Sequence, residues 1–257
     1  MNRLISMKSS DKVLKLRLAV HILTLTHSII VTFKLLNVDF DSSDDPAVRQ
    51  YSKLKWKLIT AWFNFLGTGY LIISIFCDWE ALKGNKKSKY VQILSKINTF
   101  TFTSIIFPTT AFGDILFWRI WNDNRELIMP LSAENYITVW DQHSMHTVSL
   151  IFVLYELILV HRERPKSYQS EIIAMFTFLN IYSLMCIISL LNGEYVYPCL
   201  KLFSNGKLFV LLIYAYISHL FYYTSQWLII DLINGSKNVT SDKICNNIFM
   251  RLMTVKS

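Results

Sequence analysis

Long apolar runs separated by short polar segments organise this chain. Six runs fall at 18–36, 58–77, 100–118, 143–160, 172–191 and 208–233. A helix that crosses a bilayer needs about 20 residues, because about 30 Å of hydrocarbon is covered at a 1.5 Å rise per residue. The fourth run is apolar only from Met145 and has to borrow from "DQHS" or "HRER". The first carries His21, His27 and Lys34, which blurs its ends, and the last is long enough to tilt. Lipid offers no partner to a backbone amide, so runs of this length are expected to be helices. The expected fold class is all-α, a polytopic membrane protein built as a bundle of six transmembrane helices. No Pro/Gly/Ser-rich linker, low-complexity segment or internal repeat divides 1–257, which reads as one domain.

Composition agrees with this pattern. Residues are 53% hydrophobic and only 17% charged, where a soluble domain carries about a quarter charged. The net charge of +8 is explained by a membrane and implies no nucleic acid partner. Of 26 Lys and Arg, 17 fall on the side that holds both chain ends and nine on the other. That bias predicts both termini in the cytosol, for an integral multi-pass protein expected in the endoplasmic reticulum or plasma membrane. On this topology the sequons at Asn234 and Asn238 face the cytosol and stay bare. The first apolar run lacks a small-residue cleavage site and reads as a signal anchor. Lys83, Lys86, Lys87 and Lys89 form a basic cluster that either attracts anionic membrane lipids or simply follows the charge bias. Cys77, Cys186, Cys199 and Cys245 show no CxxC spacing and read as ordinary thiols.

Polar residues inside apolar runs are costly and therefore informative. The topology puts Thr60, Asp114, Arg119, His143 and His146 in the outer half, and "GEYVYP" (193–198) just beyond it. A pocket opening to that half is expected. His143 and His146 stand at i and i+3, which directs them to one side of an α-helix. A metal needs three or four ligands, and the chain's six histidines form no HxxHH box, so neither metal nor cofactor is expected. Two readings of the pair stay open: a general base beside a hydroxyl, or interfacial rings that bond a headgroup or loop carbonyl. Thr60 likewise either serves as a nucleophile or bonds back to its own helix. Asp114 and Asp141 are candidates to orient a histidine, with Asp141 expected to be solvated. Glu156 lies ten residues beyond His146, about 15 Å along a helix axis, too deep to touch it.

Four motifs in order carry a family resemblance: "WKLIT" (56–60), "FW" (117–118) followed by "DNRELIMP" (123–130), "HSMHT" (143–147) and "VYP" (196–198). They resemble the androgen-induced protein family, which includes the androgen-dependent regulators of tissue-factor pathway inhibitor. The resemblance implies a membrane hydrolase that cleaves fatty acid esters of hydroxy fatty acids with a threonine nucleophile and a histidine. Residue by residue it implies Thr60 and His146 as that pair, with a branched fatty acid ester as lipid substrate. His143, Asp114, Arg119, Arg125 and Tyr197 are the accompanying candidates for substrate binding. Arg119 or Arg125 would take the substrate's free carboxylate, or else snorkel to the interface. Gln142, Ser144 and Tyr195 depart from the family's Asn, Gly and Trp and bear on acyl-chain preference. Tyr214, Tyr216, Phe221, Tyr222 and Tyr223 would wall an acyl channel or merely pack. A non-catalytic membrane regulator or scaffold of the same fold is the main competing function. A transporter ranks last, because no repeat is visible. Oligomeric state has no signature in the sequence.

Overall fold

The computed structural model describes residues 11–203 and 205–234. Cys245, Asn238 and the polar tail lie outside them, as does the side chain of Asn234. Among the described residues every regular element is helical. The chain runs through α1 (Asp11–Leu36), α2 (Pro46–Leu54) and α3 (Ile59–Leu82). Next come α4 (Lys89–Thr101) and α5 (Phe107–Asn124), joined without a break by a π-turn, Phe102–Ile106. Then follow α6 (Val139–Gln142) and α7 (Val148–Leu159), joined by a second π-turn, His143–Thr147. The remaining elements are α8 (Gln169–Leu191) and α9 (Asn205–Asn234).

Five segments are long and apolar enough to cross a membrane: Asp11–Leu36, Pro46–Leu82, Lys89–Leu127, Gln169–Leu191 and Gly206–Ile233. The expected count of six is not reached. The fourth expected span, α6 to α7, falls outside the set. It is one continuous helical stretch, but its first turns carry Asp141, Gln142, His143 and His146, which offset the apolar remainder. The arrangement is that of a multi-pass membrane protein. Leu23, Phe33, Phe65, Leu191 and Leu232 are largely exposed, a surface that water would penalise and lipid accepts.

The α4–α5 segment is the axis of the bundle. Two-thirds (67%) of its apolar window is buried within the protein, against 6% for α1 and 11% for α9. Its π-turn has a local cause. Pro108 has no N–H to offer the Ser104 carbonyl and its ring would crowd that group, so the helix widens just before it and closes Phe107 N–H onto the Phe102 carbonyl.

Two apolar cores stack along this axis. One joins Tyr70, Phe102, Phe107, Phe152, Met175, Tyr223 and Trp227. The other, at the opposite end, forms a cap from Phe40, Val48, Phe117, Trp121, Met129, Ala133 and Ile137. Helix α2 belongs to the cap. Asp45 caps it by accepting the Ala47 N–H at 2.8 Å, Pro46 supplies its preset first turn, and the Ser132 hydroxyl ties Asp45 to the 125–138 loop.

Charged groups clasp the end away from the cap. Glu156 of α7 is fully buried and accepts from Arg162 Nη2 at 2.9 Å and from the Tyr70 hydroxyl of α3. Its other oxygen lies 2.6 Å from His21 Nε2 of α1. His21 Nδ1 stands 3.1 Å from Asp78 of α3, which pairs with Arg17 of α1 at 2.5 Å. Removing the Glu156 carboxylate takes a buried counter-charge from both Arg162 and His21, and losing one partner of a buried pair costs about 3–5 kcal/mol. Glu156→Ala is therefore expected to lower the thermal midpoint in detergent sharply, and Glu156→Gln by less, as read by melting of the far-UV helical signal.

Candidate active site

Helix α3 begins without a side-chain cap of its own, because Leu58 fills the N-cap position. Tyr197 supplies what is missing. Its hydroxyl accepts the Ile59 N–H at 3.0 Å, which satisfies one of the orphan donors of the first turn. Burial pushes the Tyr197 phenol up to about 12, so it stays neutral and available as an acceptor. A Lys57–Glu194 ion pair pins the same loop. Tyr197 thus supports the backbone beside Thr60. Thr60 itself is half-buried in the first turn of α3, and its hydroxyl makes no hydrogen bond among the described residues.

Facing this turn is a buried polar set. His146 Nδ1 lies 2.8 Å from Asp114 Oδ1, with Asp114 fully buried and His146 4% exposed. The Ser149 hydroxyl donates to the other carboxylate oxygen at 2.5 Å, with the Met145 carbonyl as an alternative acceptor at 2.7 Å. The imidazole lies flat on Phe117, with ring centroids 3.6 Å apart and planes 8° from parallel. One nitrogen is therefore committed to Asp114. Nε2 makes no hydrogen bond among the described residues and is not among the sealed, unpartnered atoms. The expectation that His143 and His146 share a face is not met. The π-turn changes the helical phase between them and sends His143 elsewhere, to Thr147 Oγ1 at 3.0 Å and between Trp118 and Trp140.

Gly113 lets the two halves approach. A Cβ there would stand 3.0 Å from Phe63 Cε1 and 3.9 Å from Ile59 Cγ2. Bare backbone next to Asp114 thus accepts the α3 turn that carries Thr60. A cavity of about 480 Å³ opens at this junction. Thr60, Asn64 and Thr68 line it from α3, Thr110 from α5, and Ser144, Met145 and Ser149 from the helix of His146. His146 is not itself part of the lining. Phe40, Tyr51 and Ile137 of the cap close one end. Phe33, Leu36, Trp56 and Phe65 border the cavity and are exposed, so it reaches the lipid-facing surface between α1 and α3.

Other expected site residues are placed differently. Arg119 is exposed and off the cavity. Arg125 is also exposed, pairs with Glu134 at 3.1 Å and lies over Trp121. Asp114 bonds His146 and is closed to a substrate by burial. Asp141, expected to be solvated, is 5% exposed. Burial alone would push its carboxyl up, but Lys34 at 2.5 Å and the Thr138 capping box hold it below the usual carboxylate range. Its orienting role thus belongs to α1 and Thr138 rather than to His146. Ser149 and Gly113 escaped sequence reasoning. The only signal for Ser149 is its place one turn after His146, and Gly113 shows just as a glycine beside an acid. Among the described residues no three of His, Cys, Asp and Glu converge as metal ligands would.

Comparison with known proteins places the chain. The FAR-17a/AIG1-like protein profile matches residues 16–228. The chain belongs to the FAR-17a/AIG1-like family. It is 32% identical to the human androgen-dependent TFPI-regulating protein over 149 residues, 56% of this chain and 62% of that protein. It is 27% identical to the mouse protein of that name over 152 residues, 57% of this chain and 64% of that one. Against the human androgen-induced gene 1 protein it is 26% identical over 185 residues, 70% of this chain and 77% of that one. The chain thus spans somewhat under two-thirds of the length of the first of these relatives. No solved structure matches it. The FAR-17a/AIG1-like match covers α3, α5 and α7, so the junction at Gly113 lies inside it.

That junction is testable. Gly113→Ala is expected to cost about 1–3 kcal/mol, the range for overpacking a filled core. The same change in a Phe63→Leu background is expected to cost less, because the ring it strikes has gone. Thermal melting of the two single variants and the double variant in detergent measures the coupling, and additive losses would contradict the contact.

Proposed function

We propose that this chain is a membrane-embedded threonine hydrolase that cleaves the ester bond of fatty acid esters of hydroxy fatty acids. The observation that carries the reading is the Asp114–His146 hydrogen bond, set against the wall of a lipid-open cavity that Thr60 also lines. A carboxylate on Nδ1 selects the tautomer whose Nε2 lone pair is free to take a proton. With both termini in the cytosol, the cavity opens to the exoplasmic leaflet, where an ester carbonyl meets water.

The chemistry runs in two halves. His146 Nε2 removes the Thr60 proton as the hydroxyl oxygen attacks the ester carbonyl carbon. The bond to the hydroxy fatty acid oxygen breaks, and that oxygen leaves with the proton from Nε2. An acyl-threonine remains. Water, deprotonated by Nε2, then attacks it, releasing the fatty acid and returning the proton to Thr60. Asp114 stays ionised throughout and stabilises the imidazolium. Tyr197 acts through the Ile59 amide, keeping the first turn of α3 in place.

A second reading rests on a different observation. His146 lies under Phe117 and outside the cavity lining, as a purely structural pair with Asp114 would. On that reading the chain is a non-catalytic membrane regulator, in keeping with the names that its relatives carry.

Hydrolysis of a branched ester of hydroxystearic acid, with triglyceride and phospholipid as controls, separates the two. Thr60→Ala and His146→Ala are expected to abolish turnover of the branched ester. Asp114→Asn is expected to lower kcat on the order of 10²-fold or more with KM little changed, since general-base assistance is worth about 10²–10⁴. Full activity in Thr60→Ala contradicts the proposal, and activity confined to phospholipid changes the substrate class.

A further inference from the structure

The arginines that sequence suggested for a substrate carboxylate lie off the cavity lining, yet the cavity has a cation of its own. Among its lining residues Lys55 is the single one with a formal charge, and no Asp or Glu joins it there. Four neighbouring cations are engaged, Lys34 with Asp141 at 2.5 Å, Arg125 with Glu134 at 3.1 Å, Lys57 with Glu194, and Arg49 with the Ser43 carbonyl at 2.5 Å, while Lys53 is exposed and off the cavity. The Lys55 side chain has neither ion pair nor hydrogen bond among the described residues. Its ammonium instead stands 5.5 Å from the Phe40 ring centroid and 5.9 Å from that of Trp56. Those rings belong to the cap and the cavity mouth, so the charge stands at the capped end of a chamber that holds no other formal charge. A half-buried cation without a counter-ion is costly, and a ligand anion offsets that cost.

We infer that Lys55 binds the free carboxylate of the substrate and thereby selects where along the chain the ester must lie. This deepens the hydrolase reading and rests on it for the word substrate. Lys55 sits in the 3₁₀ turn Lys55–Lys57 that leads into α3, five residues before Thr60. Their Cα atoms are therefore held no more than about 18 Å apart. A hydroxy fatty acid with its carboxylate on Lys55 presents its ester oxygen at Thr60 only when the branch lies at a matching distance. Lys55 is a specificity-determining residue on this account and takes no part in bond breaking.

Binding tests it without turnover. The full chain carrying Thr60→Ala, in non-ionic detergent, is titrated with a palmitate ester of hydroxystearic acid and with the carboxyl-methyl ester of the same compound. The free acid is expected to bind about tenfold tighter. Lys55→Gln is expected to erase that preference and Lys55→Arg to keep most of it. In the otherwise unaltered protein Lys55→Gln is expected to raise KM for the free acid about tenfold with kcat within about twofold. Equal binding of acid and methyl ester, or a preference that survives Lys55→Gln, overturns the assignment. Tighter binding of lysophosphatidic acid than of the free acid overturns it too, in favour of a headgroup phosphate. A Lys55-dependent acid preference in a protein that hydrolyses nothing supports the anion site while sinking the hydrolase reading alone.

Discussion

A carboxylate buried in a membrane bundle must be matched by donors, and Asp114 is matched on both oxygens by residues of one neighbouring helix. That match dictates much of the cap end. His146 and Ser149 have to project toward α5, and the π-turn at His143–Thr147 sets the phase of the helix that carries them. Phe117, on the same face of α5 one turn beyond Asp114, backs the imidazole. Gly113 leaves the other side of Asp114 bare enough for α3 to close in. The polar set and the cavity are thus two aspects of one helix junction.

The bundle is held differently at its two ends. Away from the cap, Glu156, Asp78, Arg17, Arg162 and His21 join α1 to α3 and α7 through buried charge. At the cap, Lys34 fastens the other end of α1 to Asp141. Between these points α1 is largely exposed, with Ile29, Ile30 and Phe33 turned outward, and here the cavity meets the lipid. Such an arrangement leaves the cavity open from the side without breaking either fastening. It also accounts for the polar start of the helix of His146: its first turns serve a buried polar site instead of lipid.

Much of this was legible in the sequence because lipid forces a simple rule on long runs. Five of the expected spans are recovered as helices long and apolar enough to cross a membrane, and Asp114 was visible as a candidate to orient a histidine. What could not be read is direction around a helix axis once the helical period breaks. His143 and His146 looked alike at i and i+3, and the π-turn separates them. Arg119 and Arg125 looked suited to a carboxylate, whereas Lys55, one of four cations between 37 and 57, is the one that lines the cavity. Asp141 looked solvated because nothing local reveals Lys34 arriving from α1. The Asp141 miss concerns a contact made by a distant helix, which hydrophobic patterning does not encode.

The central claim is that Thr60 is an activated hydroxyl served by His146. Its most direct test is the site at which a fluorophosphonate forms a covalent adduct, mapped by peptide mass spectrometry on the detergent-solubilised protein. The account predicts the added mass on Thr60 in the unaltered chain and its loss in folded His146→Ala. An adduct on Ser149 or Ser144, or no adduct at all on a folded protein, would contradict it.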